Sequence, residues 1–275
     1  MENLTTKMIA QYIYDSILLK TEELRKTYKK SEPQIGYLYI DNLLPEDLAL
    51  KCHEVFPSQS KMRCLKSLRE YKYVSAQMDS HDPLLEQVIY AFQDERIVKL
   101  IGSICGIDKL YADKSLYAGG LSLMAKNNFL HPHLDNSHDA ERERWRVLNL
   151  LYYVTPDWEN SNGGHLELWP NGPKTEPLVI ESKFNRLVIM ATHDRSWHSV
   201  NEVKIDRSRC CISNYYFSDE PLKNTDRFHV TKFRGRPEDT LTNIILDIDA
   251  SFRMFVRRIF KKGIRKNPHI YKKKD

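Results

Sequence analysis

Apolar residues recur along this chain in two different periods, and the change between them divides it. Residues 5 to 30 carry Met8, Ile9, Tyr12, Ile13 and Leu19 with Lys and Glu between them, the spacing of one amphipathic helix. A strand-like run from Gly36 to Ile40 follows. Leu43-Leu44-Pro45-Glu46-Asp47 then opens a helix with an early Pro and acids in its first turn, continued by Ala49, Cys52 and Val55. Lys61 to Tyr73 is charged and aperiodic and reads as a loop with one short strand. Leu85, Val88, Ile89, Phe92, Ile97, Leu100 and Ile104 restore the helical period over residues 83 to 105.

From Tyr117 to Phe217 the pattern becomes that of strands. Ala118–Ala125, His131–Asp135, Val147–Val154, His165–Trp169, Leu187–Ala191, His198–Val203 and Arg209–Phe217 are short apolar or alternating runs. Turn formers separate them, among them Lys126-Asn127-Asn128, the run Asn160 to Gly164, Pro170 to Pro173 and His193 to Ser196. Beyond Pro221 helix returns: Gly235 to Asp239 is a start signal, and Leu241, Ile244, Ile245, Ile248, Phe252, Phe255, Val256, Ile259 and Phe260 keep one stripe until Gly263. The pattern predicts a mainly β, α+β chain whose core is a jelly roll, a double-stranded β-helix, flanked by helices. Its expected organisation is a helical scaffold over 1–116, a core over 117–220 and an amphipathic helix with a basic tail over 221–275, all in one structural domain.

Composition narrows this picture in two ways. The net charge of +5 is concentrated at one end, since Phe252 to Asp275 hold ten Lys or Arg against one Asp and leave the body net acidic. A basic body for nucleic acid is therefore excluded, while a basic tail is present. That tail has two readings: its stripe packs on the barrel or on a second subunit in a homodimer, or its last turns lie on an anionic membrane surface. The cysteines are five, and the adjacent pair Cys210 and Cys211 would face opposite sides of a strand, so no disulfide framework is implied. The first residues lack an apolar core followed by a small-residue cleavage site. A reducing, cytoplasmic location is expected, peripheral to a membrane if the tail binds one.

Chemistry concentrates at His131-Pro132-His133-Leu134-Asp135-Asn136. On an extended strand His133 and Asp135 project to one face while Leu134 points away. A second imidazole from a distant strand, for which His198 is the candidate, would complete two histidines and one carboxylate on one face of a metal, the set that suits non-haem Fe(II). His131 shares the face of His133 and is the rival ligand. His138 and His193 sit in polar loops and read as solvated, and His165 as barrel lining or a substrate contact. Trp145, Trp158, Trp169 and Trp197 read as packing, with Trp169 the one placed for substrate stacking.

Four features stand in a fixed order: His133 with Asp135; the strand Arg146 to Val154, followed by Trp158 and Gly163-Gly164-His165-Leu166-Glu167-Leu168; Trp197-His198-Ser199-Val200; and Arg209 to Phe217. With Glu181 to Leu187 ahead of the second histidine, they closely resemble the Fe(II)- and 2-oxoglutarate-dependent dioxygenases, in particular the prolyl-4-hydroxylase-like branch that includes the oxygen-sensing prolyl hydroxylases. The resemblance covers about residues 118 to 219. It implies that His133, Asp135 and His198 bind Fe(II), and that Arg209 grips the distal carboxylate of 2-oxoglutarate, with Arg207 as the rival. It further implies that Tyr153 and Ser213 lie beside the same carboxylate. Relatives carry another tyrosine about ten residues before the H-x-D; here that region reads Leu121-Ser122-Leu123-Met124-Ala125, so that cosubstrate contact is lost or is supplied by another residue such as Tyr117.

The implied activity is hydroxylation of an unactivated C–H bond, with 2-oxoglutarate and O2 as cosubstrates, succinate and CO2 as co-products and ascorbate as an accessory reductant. Asp135 argues against halogenation, which needs a small residue there. The primary substrate stays open among a small molecule, a saccharide, a lipid-linked molecule and a prolyl peptide, because the iron core is shared by enzymes acting on all of these. The competing reading is a catalytically silent jelly-roll binding module.

Overall fold

The computed structural model describes residues 4–260 and 269–273. In chain order its elements are α1 (Thr6–Leu19), α2 (Thr21–Ser31), β1 (Tyr37–Asp41), α3 (Glu46–Glu54), β2 (Arg63–Lys66), β3 (Glu70–Ser75), α4 (Pro83–Ala91), α5 (Glu95–Cys105) and β4 (Tyr111–Ala112). They continue with β5 (Gly120–Met124), β6 (Phe129–Leu134), β7 (Trp145–Tyr153), β8 (Leu166–Leu168), β9 (Leu178–Ile180), β10 (Arg186–Ala191), β11 (His198–Val200), β12 (Arg209–Ser218), β13 (Lys232–Phe233) and α6 (Thr240–Ile259). The strands pair in the order β1-β10-β7-β12-β5-β3-β6-β11-β8-β9 as one curled antiparallel sheet, a jelly roll with helices on its outside.

Strand parity explains the layering. On β7 the even positions Leu148, Leu150 and Tyr152 pack into the main core with the helices, whereas Asn149, Leu151 and Tyr153 line the cavity inside the curl. β12 does the same, with Cys210, Ile212 and Tyr216 outward and Arg209, Cys211, Ser213 and Tyr215 inward. Both strands are covered on two faces, which is why they read as nearly continuous apolar runs.

The helices differ from their sequence reading in number and in face. The expected single helix over residues 5 to 30 breaks at Lys20, and its buried side is Ile9, Ala10, Ile13 and Ile17, with Leu19 largely exposed. The periodic stretch 83 to 105 is two helices, because Asp94 caps the second with a side-chain bond from the Arg96 amide. Lys61 to Tyr73 forms a hairpin, β2 with β3, and β3 then bridges β5 and β6. Strands β1 to β4, from residues 1–116, are thus part of the sheet.

One latch ties the α3 end of the scaffold to the sheet. Asn185, in the left-handed region at φ 57°, donates from Nδ2 to the Leu44 carbonyl at 2.7 Å. Its Oδ1 accepts from the Leu44 amide at 3.1 Å and the Tyr152 hydroxyl at 2.8 Å. Replacing Asn185 with Ala leaves three buried polar groups without partners, so Asn185→Ala is expected to lose about 3 kcal/mol of unfolding free energy in urea. A midpoint equal to the parent's would show that the latch contributes nothing.

α6 overturns the expectation that the apolar stripe packs on the barrel. Leu246 and Ala250 are buried, Leu246 beside Leu130, Trp158 and Phe233, while Leu241, Ile244, Ile245, Ile248, Phe252, Phe255, Ile259 and Phe260 face outward. No helix among the described residues is long and apolar enough to cross a membrane. Gly263, Lys261, Lys262, Arg265, Lys266 and Lys274, invoked for the helix end and the basic tail, lie outside the described residues. Leu246→Ala is accordingly expected to cost about 3 kcal/mol, whereas Ile248→Ser should change unfolding free energy by less than about 0.5 kcal/mol. The reverse ranking would turn the helix over.

Candidate metal centre and cosubstrate pocket

β6 and β11 run antiparallel with His133 directly opposite His198. Asp135 follows β6 by one residue and shares the parity of His133, so all three side chains enter the cavity from adjacent backbone. Their ligand atoms lie within 4.8 Å of one another and the residues are buried. His133 Nε2 stands 3.7 Å from one Asp135 oxygen, and His198 Nε2 is 3.8 Å from the other. The two rings are 4.1 Å apart.

The backbone sets which nitrogen faces the centre. His133 Nδ1 meets the His131 carbonyl at 3.0 Å and His198 Nδ1 meets the Ser196 carbonyl at 2.9 Å. A carbonyl only accepts, so each Nδ1 carries the proton and each Nε2 presents a lone pair. Burial, and then the neighbouring His198, pulls His133 down to about 3, which keeps it neutral at pH 7. Burial alone would raise the Asp135 carboxyl, but His198, Arg146 and His133 outweigh it and hold it below the usual carboxylate range. Its Oδ2 is buried without a hydrogen-bond partner. Two aimed imidazole lone pairs and an orphaned carboxylate oxygen fit a divalent iron ion.

Arg209 lies in the same cavity of about 730 Å³, buried, with Nε lacking a partner and its guanidinium 5.2 Å from the centre of the Tyr153 ring. Burial, and then Cys211, pushes the Tyr153 phenol well above its ordinary value, so the hydroxyl stays a donor. Ser213 also lines the cavity, its hydroxyl donating to the Gly120 carbonyl at 3.2 Å. Gly164, at φ 71°, passes so near Val203 that a Cβ would stand 2.9 Å from its Cγ2, and the same turn lies in ordinary contact with the Arg209 side chain. Arg207 is exposed, donating to the carbonyls of Pro156 at 2.8 Å and Asp157 at 3.1 Å, outside the cavity. Tyr117 lines the mouth.

Other expectations are corrected. His131 is not grouped with the three ligand atoms and packs on Phe129, ring to ring at 4.8 Å. His165 accepts from the Ser182 amide and donates to the Asn160 carbonyl, which makes it a loop latch. Trp169 is buried and donates to Ser199 Oγ at 2.8 Å, so it stacks on no substrate. His193, read as solvated, is buried beside Asp194 and Asp226; its Nε2 donates to the Ile35 carbonyl and its Nδ1 accepts from the Arg195 amide, leaving no lone pair for an ion.

The sequence reading missed several residues. Arg146 is buried near Asp135, 3.9 Å over the Tyr215 ring, and its signal was a lone charge opening an apolar strand. Phe233 of β13 stacks on His133 at 5.0 Å, and Arg236 pairs with buried Glu167, which also accepts from Ser199 next to His198. Arg253 and Arg257 reach the cavity from the side of α6 away from its apolar stripe.

Residues 119–217 match the model of the 2OG-Fe(II) oxygenase superfamily. Over 85 residues the chain is 33% identical to "Prolyl 3-hydroxylase OGFOD1" of Mus musculus, a stretch covering 29% of this chain and 15% of that protein. A prolyl 4-hydroxylase from Phytophthora capsici shares the fold at a TM-score of 0.56 and 14% identity, over 95% of this chain and 82% of that one. A prolyl hydroxylase from Trichoplax adhaerens, solved with a hypoxia inducible factor peptide fragment, does so at 0.50 and 20%, over 76% and 96%.

The separate placements of the two arginines lead to a direct test. Arg209→Ala is expected to weaken 2-oxoglutarate binding about a hundredfold, the equivalent of about 3 kcal/mol for a buried charge pair. Arg207→Ala should leave it near the parent's value. Titration of the anaerobic Fe(II) protein with 2-oxoglutarate measures both, and equal losses would place the carboxylate elsewhere.

Proposed function

We propose that this chain, whose residues 119–217 match the 2OG-Fe(II) oxygenase superfamily, is a prolyl-4-hydroxylase-like, 2-oxoglutarate-dependent hydroxylase of an unactivated C–H bond, releasing succinate and CO2. The observation that carries this reading is the set of three converging buried ligand atoms in one cavity with a buried arginine. Bound Fe(II) with 2-oxoglutarate supplies the means of reducing O2 to an oxidant able to attack such a bond. The residues do the rest. His133, Asp135 and His198 would hold the metal. Arg209, with Tyr153 and Ser213 beside it, anchors the distal carboxylate of the cosubstrate and so sets the direction in which its keto acid end points. Asp135 occupies the position that a halide would need.

Ascorbate, as a reductant returning the metal to Fe(II), belongs to the same proposal. So does a peptidyl substrate, which is supported by the prolyl hydroxylase names of the relatives and by the peptide in the Trichoplax structure. Apolar side chains around the ligands limit water at the reacting centre: Leu130 of β6, Phe233 of β13, Leu166 of β8 and Val200 of β11 line the same cavity.

Anaerobic addition of Fe(II) and 2-oxoglutarate is expected to produce the weak visible charge-transfer band of the chelate, and admission of air should yield slow succinate formation without added substrate. His198→Ala should abolish both, since two protein ligands hold iron poorly. A folded protein that forms neither band nor succinate would instead be the silent binding module, and full activity in His198→Ala would show the ligands to be misplaced.

A further inference from the structure

We propose that the mouth of the cavity holds an anionic group of the primary substrate, a phosphate or a carboxylate, between Arg253 and Arg257 of α6 and Arg63 and Arg69 of the β2–β3 hairpin. This rests on the hydroxylase reading for the identity of the bound molecule as substrate.

The first observation is charge. Seven Lys or Arg side chains line the cavity against two carboxylates, Glu70 and Asp135. Glu70 is taken by Lys72 at 3.0 Å, and Asp135 belongs to the metal ligands. A dication and a dicarboxylate cosubstrate cancel each other, so loading the inner site leaves the excess in place. Asp249, just behind the wall, offsets one further charge by bonding both Arg69 and Arg253, the latter at 2.9 Å. A cleft of one sign with apolar walls concentrates ligands of the other sign.

The second observation is unused donors. Arg253 is held in place, its Nε on Asp249 and its Nη1 on the Thr231 carbonyl at 2.7 Å, yet Nη2 is buried with no partner. Burial, and then Arg69 nearby, makes its charge costly enough to pull the group below its ordinary range. No carboxylate among the described residues meets Arg257, and none meets Arg63. A fixed guanidinium with a free N–H, as in Arg253, matches the oxygens of a phosphate or carboxylate, and Arg63 and Arg257 add charge, unpaired among the described residues, beside it.

The third is position. Arg209 at the inner end is the candidate anchor for 2-oxoglutarate and stems from β12, whereas these four arginines come from segments outside 119–217. The core thus supplies the chemistry, and the flanking segments supply a separate anion site facing it across one cavity.

The test uses the full chain loaded anaerobically with Fe(II) and saturating 2-oxoglutarate, so that Arg209 is already engaged. Phenyl phosphate, phenylacetate and phenol are titrated by calorimetry and by the change in the chelate band. At least one anion is expected to bind tenfold or more tighter than phenol, about 1.4 kcal/mol, and to weaken as salt rises. A stronger phenyl phosphate assigns a phosphate ester, and a stronger phenylacetate assigns a carboxylate. Arg257→Gln, which removes a side chain that meets no described carboxylate, should weaken the anion about tenfold, and Arg253→Gln should do likewise. Phenol binding as tightly as both anions, anions that bind only by displacing 2-oxoglutarate, or an Arg257→Gln protein with the parent's anion affinity would each overturn the proposal. Should the chelate band never form, the hydroxylase reading fails by itself, and calorimetry with the same three compounds still decides whether the anion site exists.

Discussion

The pairing of β6 with β11 is the constraint on which the rest of the site depends. It sets His133 opposite His198, and the carbonyls of His131 and Ser196 then orient both rings through their Nδ1 protons. Because strand side chains alternate, a slip of one residue would carry His198 to the other face of the sheet. Burial keeps His133 neutral, and the surroundings of Asp135, against the effect of burial, hold its carboxyl below the usual range. The centre is therefore prepared for a cation by backbone geometry and desolvation together.

Segments beyond the matched core reinforce this register. β13 adds to the edge of β6 and places Phe233 over the His133 ring, while Arg236 reaches buried Glu167, whose carboxylate also receives the Ser199 hydroxyl. Glu167 is the buried partner and both its oxygens are bonded, by Arg236 and Ser199, while Arg236 stays partly exposed. Trp169 closes the same chain of contacts through Ser199. The C-terminal region is thus built into the wall of the metal site, and α6 arrives at the mouth with its arginines inward and its apolar stripe outward.

Two surfaces of one helix consequently differ in what they meet. The inward side meets Asp249-linked arginines, Leu246 and the cavity, and the outward side presents Ile248, Phe252 and Phe255 to solvent. A contiguous apolar face of that kind marks a contact surface on a protein. An anionic membrane and a second subunit are the two covers its sequence suggests.

What the sequence determined by itself was everything carried by short-range periodicity: the seven core strands, the shared face of His133 and Asp135, the shared face of Arg209 and Ser213 on β12, and the existence of α6. These follow from the two-residue repeat of a strand and the 3.6-residue repeat of a helix, which neighbouring residues impose on one another. Resemblance then ordered them into one site. The tertiary structure alone decided which face of each element is covered and which charge keeps a partner. α6 shows the difference: its stripe was plain in the sequence, but its burial depended on Leu130 and Phe233, more than ten residues away along the chain, and they meet Leu246 instead. Arg207 and Arg209 share a parity too, yet the first is exposed and bonded to the carbonyls of Pro156 and Asp157 while the second is buried in the cavity. Periodicity is a property of the local chain, whereas burial and charge pairing belong to contacts between distant segments, which no local pattern encodes.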